Sequence, residues 1–204
     1  MKPGTCKVYI VDDDLSVRRG ISLLLRSAGC QVDAFASAEE FLAIEDHSGE
    51  GCIILDIFME GRSGLELQEE IAGKFPNLPI IFITGQGDIP MTVSALKKGA
   101  VNFLQKPVDD NELMKAVSEA MNLSHALVMQ EQEVNHIETL IGTLTARELQ
   151  VFKLIITGML NKQIAAELNI AEHTVKLHRG KITEKLGLKS VAELVILSQK
   201  LNQI

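Results

Sequence analysis

Three consecutive aspartates, Asp12, Asp13 and Asp14, close the first short apolar run of the chain. Later apolar runs close at Asp56, at Thr84 and at Lys106. Carboxylates gathered at one place repel one another unless a proton or a cation neutralises them. Hard oxygen ligands with room for water suit Mg2+, with Mn2+ as a substitute. A lysine and a hydroxyl added to that set make it suitable for phosphoryl transfer. A carboxylate can act as the nucleophile and carry an aspartyl-phosphate, and positioning and charge neutralisation do most of the rest. A lone aspartate at a strand end is a helix cap or a solvated charge; the joint arrangement is what points to a site. Asp14, the extra acid, reads as the N-cap of the helix that follows.

The elements that must position these residues alternate through the first 120 or so residues. Strands are expected at 7–11, 31–35, 52–57, 80–84 and 102–105, and helices at 16–27, 38–43, 63–74, 90–98 and 111–121. Strands so regularly separated by helices imply right-handed crossovers and a parallel sheet covered on both faces. The near-continuous apolar strands agree, because a strand buried on both faces does not alternate. Such a sheet binds ligands beyond the carboxyl ends of its strands, where the acids, the threonine and the lysine fall.

From about 123 to 141 the chain turns polar, with Leu127, Val134, Ile137 and Ile141 at coiled-coil-like spacing and Gln130 interrupting the seam. This linker helix either pairs with a second copy or packs on its own N-terminal domain. After Thr143 the pattern is entirely helical, with helices expected at 161–168, 172–186 and 191–201. Gly187 stops the second of these, and a turn at 169–171 makes a helix-turn-helix of the first two. The net charge of −7 hides an asymmetry: residues 1–142 carry 11 basic and 22 acidic side chains, residues 143–204 carry 9 and 5. A basic tail domain on an acidic body points to a polyanion as the tail's partner. On the helix from Glu172, Val175, Ile182 and Leu186 share one side, while Lys176, Arg179 and Lys181 leave it. That ridge fits a major groove.

The cysteines, Cys6, Cys30 and Cys52, are odd in number and unclustered, which fits buried thiols better than zinc or disulfides. No apolar run has the length of a signal peptide or membrane span, so a cytoplasmic protein without membrane contact is expected.

Residues 7–121, with their VDDD, LDIFM, FITG and LQKP segments, resemble the receiver domain of two-component response regulators, and ITGQGDIPMTV resembles their FixJ-like branch. Residues 143–201, from LTARELQVFKLIITGMLNKQIAAELNIAEHTVKLHRGKITEKLGLKSVAELV, resemble the LuxR-type helix-turn-helix of the FixJ/NarL family. The resemblance implies a doubly wound, flavodoxin-like parallel sheet of order 2-1-3-4-5, followed by a small all-α domain. The domains would be residues 1–122 (receiver), 123–142 (linker helix) and 143–204 (DNA binding). It implies that Asp56 accepts phosphate from a histidine kinase. Asp12, Asp13, Asp56 and the backbone carbonyl of Phe58 would hold Mg2+. Thr84, Phe103 and Lys106 would form the phosphoryl-binding and switch set, with a cis bond before Pro107. Lys176 and Leu177 would face bases, and Asn161, Lys162, Thr174, Arg179 and Lys181 would mostly hold DNA phosphates. The implied partners are the kinase, promoter DNA, a second protomer after phosphorylation, and RNA polymerase.

Three departures stand out. Glu60 occupies the usual place of proline after Met59, and Leu160 and Ala171 replace polar helix-start residues. Gly180 lies inside the DNA-facing helix, where glycine is unfavourable. His178 on that helix reads as a packed side chain. Two rival functions are an Asp56-dependent phosphatase or phosphotransferase, which lacks a second acid to activate water, and a constitutive DNA binder whose receiver only dimerises. No turnover beyond slow self-dephosphorylation is expected.

Overall fold

The computed structural model describes residues 6–43, 49–85, 93 and 95–187. The chain divides into two compact units, Met1–Met129 and Gln130–Ile204.

In the first unit the elements run β1 (Lys7–Val11), α1 (Leu15–Ser27), β2 (Gln31–Phe35), α2 (Ala38–Leu42), β3 (Cys52–Asp56), α3 (Gly64–Lys74), β4 (Ile80–Thr84) and β5 (Asn102–Gln105). They are followed by α4 (Asp110–Gly142), whose residues fall in both units. All strand pairs are parallel and the order is β2-β1-β3-β4-β5, as expected. Of the helix expected at 90–98, residues 93 and 95–97 are helical and residues 90–92 and 94 lie outside the described residues; the helix expected at 191–201 lies wholly outside them.

Every residue of β3 and β4 is buried, because successive side chains of a strand point to opposite faces and both faces are covered. Val8, Ile10, Cys52, Ile54, Ile81 and Ile83 meet Ile21 and Leu25 of α1 and Leu113, Val117 and Met121 of α4. On the other face Tyr9, Val11, Ile53, Leu55 and Phe82 meet Phe41 of α2 and Leu67 and Ile71 of α3. Edge strands β2 and β5 are only partly covered. The three thiols are free and buried, and burial pushes Cys6 up to about 12. None is poised to react.

α4 is one unbroken helix of 33 residues, where two segments were expected. Its receiver portion extends beyond residue 121. Ser124 is fully buried, accepting from Gly51 N (3.0 Å) and donating to Asn77 O (2.8 Å). Leu123 and Leu127 line a cavity of about 220 Å3 with Phe75, Pro76 and Leu78. The start of the linker stripe therefore packs on its own domain.

In the second unit, α5 (Ala146–Ile156), α6 (Asn161–Glu167) and α7 (Glu172–Lys185) surround Val151, Phe152, Ile155, Ile164, Val175, Ile182 and Leu186. Leu140 and Ile141, from the end of α4, pack against this second core. The turn between α6 and α7 closes through Ile170 N to Ala165 O at 2.9 Å, with Asn169 at φ 52, a left-handed conformation that asparagine tolerates. No helix among the described residues is long and apolar enough to cross a membrane.

Candidate functional site

The sheet brings β1, β3, β4 and β5 to a common rim, and the residues that close them converge there. Lys106 Nζ lies 2.7 Å from Asp12 Oδ2 and 2.7 Å from Asp56 Oδ2. Asp12, Asp13 and Asp56 each offer a carboxylate oxygen within 4.8 Å of the other two. Asp12, Asp56 and Thr84 are buried, and Asp13 is exposed at the mouth. Lys106 N donates to Thr84 O at 2.7 Å, which ties the ends of β4 and β5 together, and the Lys106–Pro107 bond is cis.

The local backbone fixes these side chains. Asp14 caps α1, accepting from Ser16 N at 2.7 Å, so the extra acid is a cap as expected. Its own N–H donates to Asp12 Oδ1 at 2.8 Å. Phe58 N faces Asp56 Oδ1 at 3.4 Å, and the Phe58 ring is exposed. Phe103 is half-buried against the core on the α2–α3 side.

Burial pushes the Asp12 carboxyl above its ordinary range, against the opposing pull of the Lys106 ammonium and the Asp14 N–H, and the neighbouring Asp56 adds to the rise. Burial also works against the Lys106 charge, but bonding to Asp12 and Asp56 outweighs it and holds the ammonium above its usual range. Asp12 Oδ2 accepts no well-directed hydrogen bond, even though the ammonium lies close by. A buried carboxylate oxygen with spare capacity, facing two further carboxylates, fits a divalent cation bound through oxygen. The donor set passes that test without softer ligands.

Sequence reasoning missed two contributors. Gly64 opens α3 directly over the Asp56 backbone, where an added Cβ would collide with Asp56 O. Its signal was a glycine in a first helical turn, where the residue is otherwise unfavourable. Arg18 donates to Asp12 O and braces the end of β1. Only the tertiary fold shows that contact.

In the second unit Lys162, Lys176, Leu177 and Lys181 are exposed, while Asn161, Thr174 and Arg179 are half-buried. Arg179 Nη1 donates to Asn161 Oδ1 at 2.8 Å, which joins the start of α6 to the middle of α7. Lys176 lies 3.8 Å from Glu172, one turn before it. His178 is half-buried with its Nδ1 enclosed and unbonded, consistent with a packed side chain. Leu160 and Ala171 provide no side-chain cap, but Gln163 Oε1 accepts from Leu160 N at 2.8 Å and replaces half of the missing cap at α6. A Cβ on Gly180 would meet open space.

The comparisons with known proteins match both units. Residues 8–118 match the response regulator receiver domain family, and residues 142–198 match the luxR family of bacterial regulatory proteins. The chain is a response regulator of the FixJ/NarL type. Among curated relatives, nodulation protein W of Bradyrhizobium diazoefficiens is 45% identical over 95% of this chain and 86% of its own length. The transcriptional regulatory protein FixJ of Azorhizobium caulinodans is 37% identical over 95% of this chain and 92% of its own length. Among solved structures, the response regulator StyR superposes with a TM-score of 0.81 at 46% identity, covering 97% of this chain and 100% of StyR. Full-length FixJ from B. japonicum gives 0.58 at 33% identity, covering 97% of this chain and 98% of FixJ. As a response regulator of this type, the chain is a transcriptional regulator that joins a receiver to a LuxR-type DNA-binding domain.

Proposed function

We propose that Asp56 accepts a phosphoryl group from a partner histidine kinase and that its modification controls promoter binding by α7. The observation that carries this reading is the placement of Lys106 at 2.7 Å from both Asp12 and Asp56. In the transfer, a phosphorus–nitrogen bond of the donor breaks as a phosphorus–oxygen bond forms at the Asp56 carboxylate, and the imidazole is the leaving group. Asp12, Asp13, Asp56 and the Phe58 carbonyl would hold Mg2+ or Mn2+. The bound ion supplies positive charge against the negative charge of the phosphoryl oxygens.

Lys106 is placed to exchange its contact with Asp56 Oδ2 for one with a phosphoryl oxygen. Thr84, at the end of β4, would turn its hydroxyl toward the same group, and Phe103 would follow inward. Such a step biases a pre-existing inactive–active equilibrium. The active receiver would pair with a second protomer through the face around residues 90–98, 102–105 and 111–121. Two DNA-binding units on adjacent half-sites then gain avidity without new contacts. In this reading residues 123–142 link receiver and DNA-binding domains, Lys176 and Leu177 face bases, and Asn161, Lys162, Thr174, Arg179 and Lys181 hold phosphates. RNA polymerase is the downstream partner. Turnover is confined to slow self-dephosphorylation of Asp56.

The test is labelling by acetyl phosphate with Mg2+, followed by intact-protein mass spectrometry. The unmodified chain is expected to gain one phosphoryl group and Asp56→Ala none. Equal labelling of the two would remove Asp56 as the acceptor.

A further inference from the structure

The β3–α3 turn passes over the mouth of the acidic pocket, and there the backbone N–H of Glu60 donates to Asp13 Oδ2 at 2.9 Å. The two residues are 47 positions apart, so the bond joins the end of β1 to the turn that follows Asp56. We infer that Glu60 is a positioning residue for the metal site, acting through its N–H to hold the Asp13 carboxylate toward Asp12 and Asp56. The inference rests on the reading of these three acids as a cation site.

The physical need is specific to Asp13. Asp12 is buried, with one carboxylate oxygen held by Asp14 N and the other beside Lys106. Asp56 is buried and held by the same lysine. Asp13 alone is exposed, and Lys106 makes no ion pair with it among the described contacts. An exposed carboxylate samples several rotamers and must lose that freedom to bind an ion. A fixed donor removes part of the loss beforehand. The Glu60 N–H is such a donor, and its oxygen acceptor belongs to the carboxylate that has no other brace among the described contacts. The side chain of Glu60 is exposed and contributes only charge. Its backbone is the functional part, since the N–H is the group that meets Asp13, and proline at this position would remove that donor. Glu60 thus replaces a residue that could not make this bond.

The experiment is a titration of the full chain with Mg2+ alone, followed by amide NMR of the pocket residues, in four forms of the protein. Glu60→Pro deletes the donor and is expected to weaken Mg2+ binding by about 10-fold or more. Glu60→Ala and Glu60→Gln keep the donor and lose only an exposed charge, so they are expected to stay within about fivefold of the unmodified chain. Equal weakening in Glu60→Ala and Glu60→Pro would assign the effect to charge and overturn the inference. Unchanged affinity in Glu60→Pro would overturn it as well. Absence of Mg2+ binding by the unmodified chain would sink the metal-site reading and the inference together, and is thereby distinguishable from failure of the N–H bond alone. A fifth sample guards against misfolding of the proline variant. In Asp13→Ala the Glu60 amide is expected to lose its hydrogen-exchange protection and shift upfield, and an unchanged Glu60 amide would show that the bond does not exist in solution.

Discussion

Lys106 carries a single charge between two buried carboxylates, and in the other unit a lysine paired with one buried carboxylate and a backbone carbonyl serves a structural purpose. Lys185 Nζ lies 2.6 Å from Glu148 Oε2 and donates to Thr143 O at 3.1 Å, clamping the end of α7 to the start of α5. Glu148 also closes the capping box of α5, accepting from Thr145 N at 2.9 Å. The Lys185 ammonium, followed by the Thr145 N–H, holds the buried Glu148 carboxyl down to about 2, against an ordinary value of 4.5. A depressed folded value means the stabilisation is whole above about 4.5 and disappears as the pH falls through about 2. A carboxylate titration by NMR is expected to give Glu148 a midpoint near 2 and to move it back toward 4.5 in Lys185→Met. A midpoint near 4.5 in the unmodified chain would remove the clamp. None of this was read from the sequence, because the pairing of Glu148 with Lys185 joins residues 37 positions apart and depends on the tertiary fold. Asp12, Asp56, Thr84 and Lys106 were legible, because each ends an apolar run and the strand rule then places it. The Glu60 N–H was hidden for a different reason: backbone donors leave no mark in residue types.

At the scale of elements, the strands were readable because both faces of β3 and β4 are covered and their apolar runs are continuous. The break expected between the last receiver helix and the linker does not occur. Neither proline nor glycine stands near Asn122, and Ser124 turns its hydroxyl to Gly51 and Asn77 rather than to its own helix. Nothing physical ends the helix there. The weak starts of α6 and α7 were expected from Leu160 and Ala171, but the partial replacement by Gln163 was not, since it depends on one side-chain rotamer. α7 has no such replacement, and Ala171 already has the extended backbone of a capping residue, φ −69 and ψ 145. Ala171→Ser is therefore expected to stabilise α7 by about 1 kcal/mol. Amide hydrogen exchange along residues 172–185 should read this as slower exchange. Unchanged or faster exchange would show that the turn already satisfies the first N–H groups of the helix.

At the scale of the whole molecule, the acidic pocket and the basic ridge are features of separate folding units with opposite charge. Residues 143–204 carry a net +4 on a chain whose total is −7. Attraction of such a ridge to DNA phosphates is by itself independent of sequence and sensitive to salt. Under the proposed switch, regulation appears as a change in DNA affinity on modification of Asp56, some 120 residues before α7 in sequence. Coupling between distant sites typically changes affinity about 5- to 150-fold. The most direct measurement is the affinity of the full chain for a promoter fragment selected from random DNA, with and without Mg2+ and beryllofluoride as the phosphoryl mimic. The mimic is expected to tighten binding of the unmodified chain by at least about fivefold and to leave Asp56→Ala unchanged. Equal affinity of the unmodified chain in the two conditions would contradict the proposal that the acid–lysine pocket governs the DNA-binding domain.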